Sequence, residues 1–132
     1  MGSKILIVDD EPNILFILRH LLTREGYEVV SANTGRECLE KVVREKPDLV
    51  ILDIMMPDMD GWEVCRKIKE EFPDLPVSMC SILGSSYEVD RSFSSGADRH
   101  IKKPLNFDEV LETATTLLSR PSSFEEMAEI EG

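Results

Sequence analysis

Basic residues are in short supply: 15 lysines and arginines stand against 26 aspartates and glutamates, for a formal net charge of -11 over 132 residues. Nucleic-acid binding draws its strength from basic side chains that displace phosphate counterions, and no basic stripe is present, so direct nucleic-acid binding is not expected. Proteins or a cation are the expected partners. No apolar run approaches the ~18 residues needed to cross a bilayer, and no signal peptide precedes the first apolar stretch, so no membrane association is expected. The myristoylation pattern opened by Met1-Gly2 fails at position 6, which is Leu6 rather than Ser or Thr. The cysteines are Cys38, Cys65 and Cys80, odd in number and scattered, without CxxC or Cys/His spacing. That pattern argues against a disulfide framework or a zinc site, and the three read as reduced core thiols of a cytoplasmic protein.

What is present describes one globular domain: 42% hydrophobic and 31% charged residues, in a chain long enough to bury a core. Residues 48–63 organise it. Leu49, Val50, Ile51 and Leu52 run without alternation, as a strand covered on both faces in a parallel sheet does, and Asp53 ends the run. Pro57 and Asp60-Gly61 then force a loop. Around this centre, apolar runs at residues 4–8, 27–32, 76–81 and 97–103 predict four more strands. Helical spacing predicts five helices. The first carries Ile14, Leu15, Leu18, Leu21 and Leu22 and ends near Gly26; the second has a capping box at Thr34 to Glu37, with Leu39, Val42 and Val43 facing inward. The third holds Trp62, Cys65 and Ile68. The fourth, over residues 85–95, is rich in serine and expected to be short and poorly stabilised, and the last, opened by Asn106, carries Phe107, Val110, Leu111, Ala114 and Leu118. Alternation of strand and helix implies an α/β sandwich with right-handed crossovers and helices on both faces of a parallel sheet. Residues 1–119 are expected to form the domain, and residues 120–132 an acidic C-terminal tail or truncated linker.

Parallel strands end on one edge, where open α/β sheets bind ligands. Asp9 and Asp10 end the first strand, Asp53 the third, Ser81 the fourth and Lys103-Pro104 the fifth. Carboxylates brought this close repel unless a proton or cation intervenes, and a hard ion such as Mg²⁺, content with few protein ligands, suits the set. Each residue alone has a plainer reading: Asp9 and Asp10 as helix caps, Asp53 as a turn acid, Ser81 as a polar strand end, Lys103 as a surface lysine. Met55, Met56 and Met59 read as loop packing, as does Trp62. The coincidence of polar endings on four strands is what favours a site.

Val8-Asp9-Asp10-Glu11, the stretch from Asp53 through Met56-Pro57-Asp58 to Asp60-Gly61, and Gly96-Ala97-Asp98 leading to Lys103-Pro104 together resemble the receiver domain of two-component response regulators, of the chemotaxis-regulator type. The resemblance covers residues 4 to about 118. It implies a flavodoxin-like (βα)5 fold with strand order 2-1-3-4-5 and a phosphoacceptor, Asp53, that takes a phosphoryl group from a histidine kinase or phosphotransfer protein in a phosphorelay. Asp10 and Asp53, with the Met55 carbonyl, would hold Mg²⁺, with Asp9 assisting through water. Lys103 and Ser81 would contact the phosphoryl oxygens, and the Lys103-Pro104 bond would be cis. Such a protein is no turnover enzyme; it promotes only its own phosphorylation and dephosphorylation. Helix four, strand five and helix five would present the output surface to a downstream protein, as a monomer or weak dimer.

Three positions depart from that pattern. Ile82 stands where a small residue is usual, and its bulk is expected to narrow access and alter phosphorylation or hydrolysis rates. His100 takes the place of an aromatic switch residue; its imidazole either makes signalling pH-sensitive or is a plain surface histidine. Ser78 puts a hydroxyl in an otherwise apolar strand. The competing functions are an aspartyl phosphatase, which would want an acid where Met55 stands, a flavin binder, whose phosphate Asp9-Asp10-Glu11 would repel, and a non-phosphorylated docking module of receiver type.

Overall fold

The computed structural model describes residues 2–119. Five strands, β1 (Lys4–Val8), β2 (Glu28–Ala32), β3 (Leu49–Leu52), β4 (Val77–Ser81) and β5 (Arg99–Lys102), alternate with α1 (Pro12–Arg24), α2 (Gly35–Glu45), α3 (Gly61–Glu71), α4 (Ser86–Ser94) and α5 (Phe107–Leu118). All ladders are parallel, in the order β2-β1-β3-β4-β5. The doubly wound architecture and strand order are as expected. The tail expected at residues 120–132 lies outside the described residues.

The period of two along each strand splits the core. Leu6, Val50 and Leu52 face one layer, formed with Cys38 and Val42 of α2 and with Val64, Cys65 and Ile68 of α3. Ile5, Ile7, Leu49 and Ile51 face the other, formed with Leu18 and Leu22 of α1 and with Val110, Ala114 and Leu117 of α5. Residues of β3 are at most 1% exposed, the burial on both faces that its unbroken apolar run implies. At about 1.5–3 kcal/mol for each large aliphatic side chain, this strand is the least negotiable part of the sheet. The three cysteines are buried and free, and burial pushes the Cys38 and Cys80 thiols up to about 12, so they act as inert core residues.

Some boundaries and faces differ from expectation. Val43 is 54% exposed and Phe107 52%, because each sits at the rim of its helix's apolar stripe, beyond what the sheet covers. The fifth strand is shorter than residues 97–103, since Ala97 and Asp98 belong to the turn after α4, where Asp98 donates its N–H to the Val77 carbonyl. Among the described residues α4 is the shortest helix, but it is firmly begun, by a reciprocal capping box between Ser85 and Glu88. The α2 helix stops at Lys46, a non-glycine residue in the left-handed region (φ 50°), immediately before Pro47. Ser78 satisfies its buried hydroxyl locally, by donating to the Met79 carbonyl at 3.2 Å. The Lys103-Pro104 bond is cis.

Candidate functional site

Register assembles the site. Val8 of β1 lies opposite Leu52 of β3, so the next residue of each strand, Asp9 and Asp53, emerges at the same level on the carboxyl edge. The Asp53 N–H donates to the Val8 carbonyl at 2.9 Å, carrying the pairing one step past the strands. Asp9, Asp10 and Asp53 each offer a carboxylate oxygen within 4.8 Å of the others; Asp9 and Asp53 are buried and Asp10 is exposed.

Lys103 reaches this cluster from the far end of β5. Its ammonium donates to Asp9 Oδ2 at 2.7 Å and to Asp53 Oδ2 at 3.4 Å, and its side chain is 6% exposed. Burial opposes the Lys103 charge, but the bond to Asp9 and the field of Asp53 outweigh it, so the ammonium is held above its usual range. Burial pushes the Asp9 carboxyl up by more than Lys103 and the Glu11 N–H draw it down, with Asp53 adding to the rise. The two shifts differ in cause: burial dominates at Asp9, whereas at Lys103 the neighbouring Asp9 and Asp53 outweigh it.

The loop after β3 is built to hold Asp53 in place. The Met55 N–H donates to Asp53 Oδ1 at 3.3 Å. At the start of α3, Gly61 packs so tightly that a Cβ there would stand 2.3 Å from the Asp53 carbonyl oxygen. Only glycine fits. Asp60 caps α3 through the Glu63 N–H, and Asp58 reaches across to α2, accepting the Gly35 N–H at 2.8 Å and the Arg36 N–H at 2.9 Å. This clamp is invisible in the sequence, because 23 residues separate Asp58 from Gly35.

The two α2 amides hold the Asp58 carboxyl below its usual 3.8. A carboxyl lowered in the native state stabilises fully above the unfolded value, and the contribution fades as pH falls through the native one. Asp58→Ala is therefore expected to cost about 0.5–1 kcal/mol at pH 7, the low end for a helix cap because the carboxylate is exposed. Urea titrations at pH 7 and pH 3 should show the deficit shrinking at the lower pH.

The remaining residues singled out in the sequence fall in two places. Ser81 is fully buried at the end of β4, and its hydroxyl oxygen accepts the Leu83 N–H at 3.3 Å. Met55 is 50% exposed and Ile82 is 59% exposed. His100 is outside the acid cluster. It is half-buried on β5 with both ring nitrogens engaged, Nδ1 with the Ser92 hydroxyl at 2.8 Å and Nε2 with the Leu83 carbonyl at 2.7 Å, so it is not a plain surface histidine. Trp62 does more than pack: its indole N–H donates to Ser92 at 3.0 Å, under the guanidinium of Arg91.

Three hard carboxylates this close, with one of them open to solvent, are a donor set suited to a small divalent cation. Residues 5–115 match the family model described as response regulator receiver domain. The chain is 37% identical over 137 residues to the alkaline phosphatase synthesis transcriptional regulatory protein PhoP of Bacillus subtilis, a match that takes in 100% of this chain and 57% of that relative. The chain thus spans little more than half the length of that regulator. Among solved structures it resembles a CheY-like response regulator receiver domain protein from Methanospirillum hungatei (TM-score 0.85, 35% identity, 100% of both chains). It also resembles the response regulator protein TrrA from Thermotoga maritima in complex with Mg(2+)-BeF (TM-score 0.80, 41% identity, 87% of this chain and 98% of that one).

Proposed function

Because the chain belongs to the family of response regulator receiver domains, which are phosphorylated on aspartate in two-component signalling, we propose that Asp53 is the residue that accepts the phosphoryl group. The observation that carries this reading is the position of its carboxylate, buried, 3.4 Å from the Lys103 ammonium and one of the three acids of the cluster. A carboxylate can form an acyl phosphate, and phosphoryl transfer asks of the protein chiefly positioning and charge compensation. Met55 N–H and Lys103 fix the Asp53 oxygens, the first on Oδ1 and the second on Oδ2. Lys103, already charged and already there, meets the added negative charge with little rearrangement.

Receiver domains bind Mg²⁺ at an acidic pocket. In this chain Asp9, Asp10 and Asp53, with the Met55 carbonyl, would hold it, and when bound it would neutralise charge that Lys103 alone leaves uncompensated. The Ser81 hydroxyl would donate to a phosphoryl oxygen, drawing its loop inward as ~1.5 to 2 negative charges arrive. Helix α4, β5 and α5 would form the surface so reset, read by a downstream protein.

The phosphodonor would be a histidine kinase or phosphotransfer protein. Phosphorylation and its reversal on this same residue would be the chain's whole chemistry, with no turnover of other substrates. Residues 1–119 would act as the receiver unit, in the cytoplasm. PhoP is named a transcriptional regulator, so the expectation of no nucleic-acid binding concerns residues 1–132 alone. Among the described residues no helix is long and apolar enough to cross a membrane. Nothing in the site favours a docking module that takes no phosphate, since its acids and amine are all in place.

Incubation with acetyl phosphate and Mg²⁺ followed by intact mass tests the reading: gain of one phosphoryl group supports it, and an unchanged mass contradicts it. Ile82→Ala should change the lifetime of that adduct, because Ile82 directly follows Ser81, whose hydroxyl would meet the phosphoryl group, and its bulk is exposed beside it. Equal lifetimes would leave Ile82 without a part in the chemistry.

A further inference from the structure

Helix α4 is seated on the molecule by a hydroxyl rather than by an apolar stripe. Of its residues only Ser92 is buried, and around that oxygen three elements meet. Trp62, at the start of α3, donates its indole N–H to Ser92 Oγ at 3.0 Å. His100, on β5, meets the same oxygen through Nδ1 at 2.8 Å. The other ring nitrogen, Nε2, lies 2.7 Å from the Leu83 carbonyl, in the loop that follows Ser81.

The polarity of this chain of bonds follows from its ends. A carbonyl only accepts, so Nε2 carries a proton, and an indole only donates, so Ser92 Oγ receives at least one. In the neutral ring Nδ1 is then an acceptor. The single Ser92 proton is shared between that ring nitrogen at 2.8 Å and the Glu88 carbonyl at 3.1 Å. Leu83 is held from both sides: its N–H donates to Ser81 Oγ at 3.3 Å while its carbonyl is taken by His100. A Ser81 loop that moves toward Asp53 carries the Leu83 peptide with it, and so stretches the bond to His100.

Resting on the function proposed above, we propose that His100 is a positioning residue, a hydrogen-bonded latch that ties the loop after β4 to helix α4 and opposes the loop's movement toward Asp53. Trp62 is the fixed end of the latch. Movement of the loop is felt at Ser92, and through it at α4, without any aromatic ring having to change its burial.

The test uses the whole chain, with Mg²⁺ and acetyl phosphate for loading rate and beryllium fluoride with Mg²⁺ as a stable phosphoryl mimic. His100→Phe keeps a planar ring of similar size and removes both hydrogen bonds. It should load about threefold to tenfold faster than the parent, the effect of losing one net hydrogen bond from the resting arrangement, and bind beryllium fluoride more tightly by a similar factor. Ser92→Ala, a second variant in case the first does not fold, should move both quantities in the same direction. In the parent, nitrogen-15 spectra of the imidazole should show the proton on Nε2 before beryllium fluoride is added and a changed Nε2 signal after it, which a purely structural histidine would not give. Loading that is unchanged or slower in both variants, or an Nε2 signal indifferent to beryllium fluoride, overturns the latch. A parent that takes up neither probe overturns the phosphoacceptor reading, and the latch with it; a parent that loads normally beside variants that load alike overturns the latch alone.

Discussion

Lys103→Ala is expected to unfold at clearly lower urea concentration than the parent at pH 7, and to regain part of that loss at pH 5. Among the described residues, the ammonium it removes is the one base within reach of Asp9 and Asp53, at 2.7 Å and 3.4 Å, and both acids are buried. Deleting one partner of a buried ion pair typically costs about 3–5 kcal/mol, since the remaining charge is left in a poor solvent. The low end, about 3 kcal/mol, is expected for this pair, because exposed Asp10 leaves the cluster one side open to water. The pH dependence follows from Asp9, whose carboxyl is already raised by burial and would be raised further without Lys103. A native carboxyl above its unfolded value binds its proton more readily in the native state, so stability increases as pH falls through that value. Lys103 itself gives the complementary alkaline limb in the parent: its raised value contributes stability below the unfolded lysine range and loses it as pH rises through the native one. Equal deficits at pH 7 and pH 5 would mean that the lost stability is packing rather than charge. The same variant should respond poorly to phosphodonor, because the oxygens of a group on Asp53 would have no amine to meet.

Asp53→Asn should take up no phosphoryl group at all, and in metal-free buffer should be more stable than the parent. The amide keeps one oxygen, enough for the Met55 N–H, and puts an NH2 group where Oδ2 accepted from Lys103, so one of the two hydrogen bonds is lost. What disappears is one of three mutually repelling charges. Its repulsion with each of the other two carboxylates is roughly 3–4 kcal/mol at an effective dielectric of about 20, and the loss of about 5 kcal/mol of attraction to Lys103 cancels most of that relief, leaving a net gain of about 1 kcal/mol. Thermal melts with and without Mg²⁺ would check it: the parent should gain more from the ion than Asp53→Asn does, because more charge awaits neutralisation. A variant that is less stable without metal, or that gains as much from Mg²⁺, would count against the electrostatic picture of the cluster.

How far the site can be read from the chain depends on the range of the interactions that make it. The central strand is legible because four apolar residues in a row admit few other structures. The convergence of Asp9, Asp10, Asp53 and Lys103 is legible because parallel strands share an edge. The apolar pattern also turns Val43 and Phe107 inward, and both are exposed: periodicity marks a face but not how wide a strip its neighbours cover. In the sequence Asp58 looks like one more turn residue. Its role depends on the start of α2 lying beside the β3 loop, which no local rule encodes. Ser92 and Trp62, 30 residues apart, are hidden for the same reason, and a serine-rich helix that looks merely weak carries its anchor in one of those serines. Ser78 is anomalous only until its hydroxyl is seen bonded to the neighbouring carbonyl.

The chemistry is tested most directly on the unaltered chain, by loading it with acetyl phosphate and Mg²⁺, reducing the acyl phosphate with borohydride and locating the modified residue by peptide mass. Reduction converts an aspartyl phosphate to homoserine, which marks the carboxyl that carried the group. The expected result is homoserine at position 53, with Asp9 and Asp10 intact. Homoserine at either of those positions, or a phosphoryl group that survives borohydride on Ser81, would contradict the assignment of Asp53 as the acceptor.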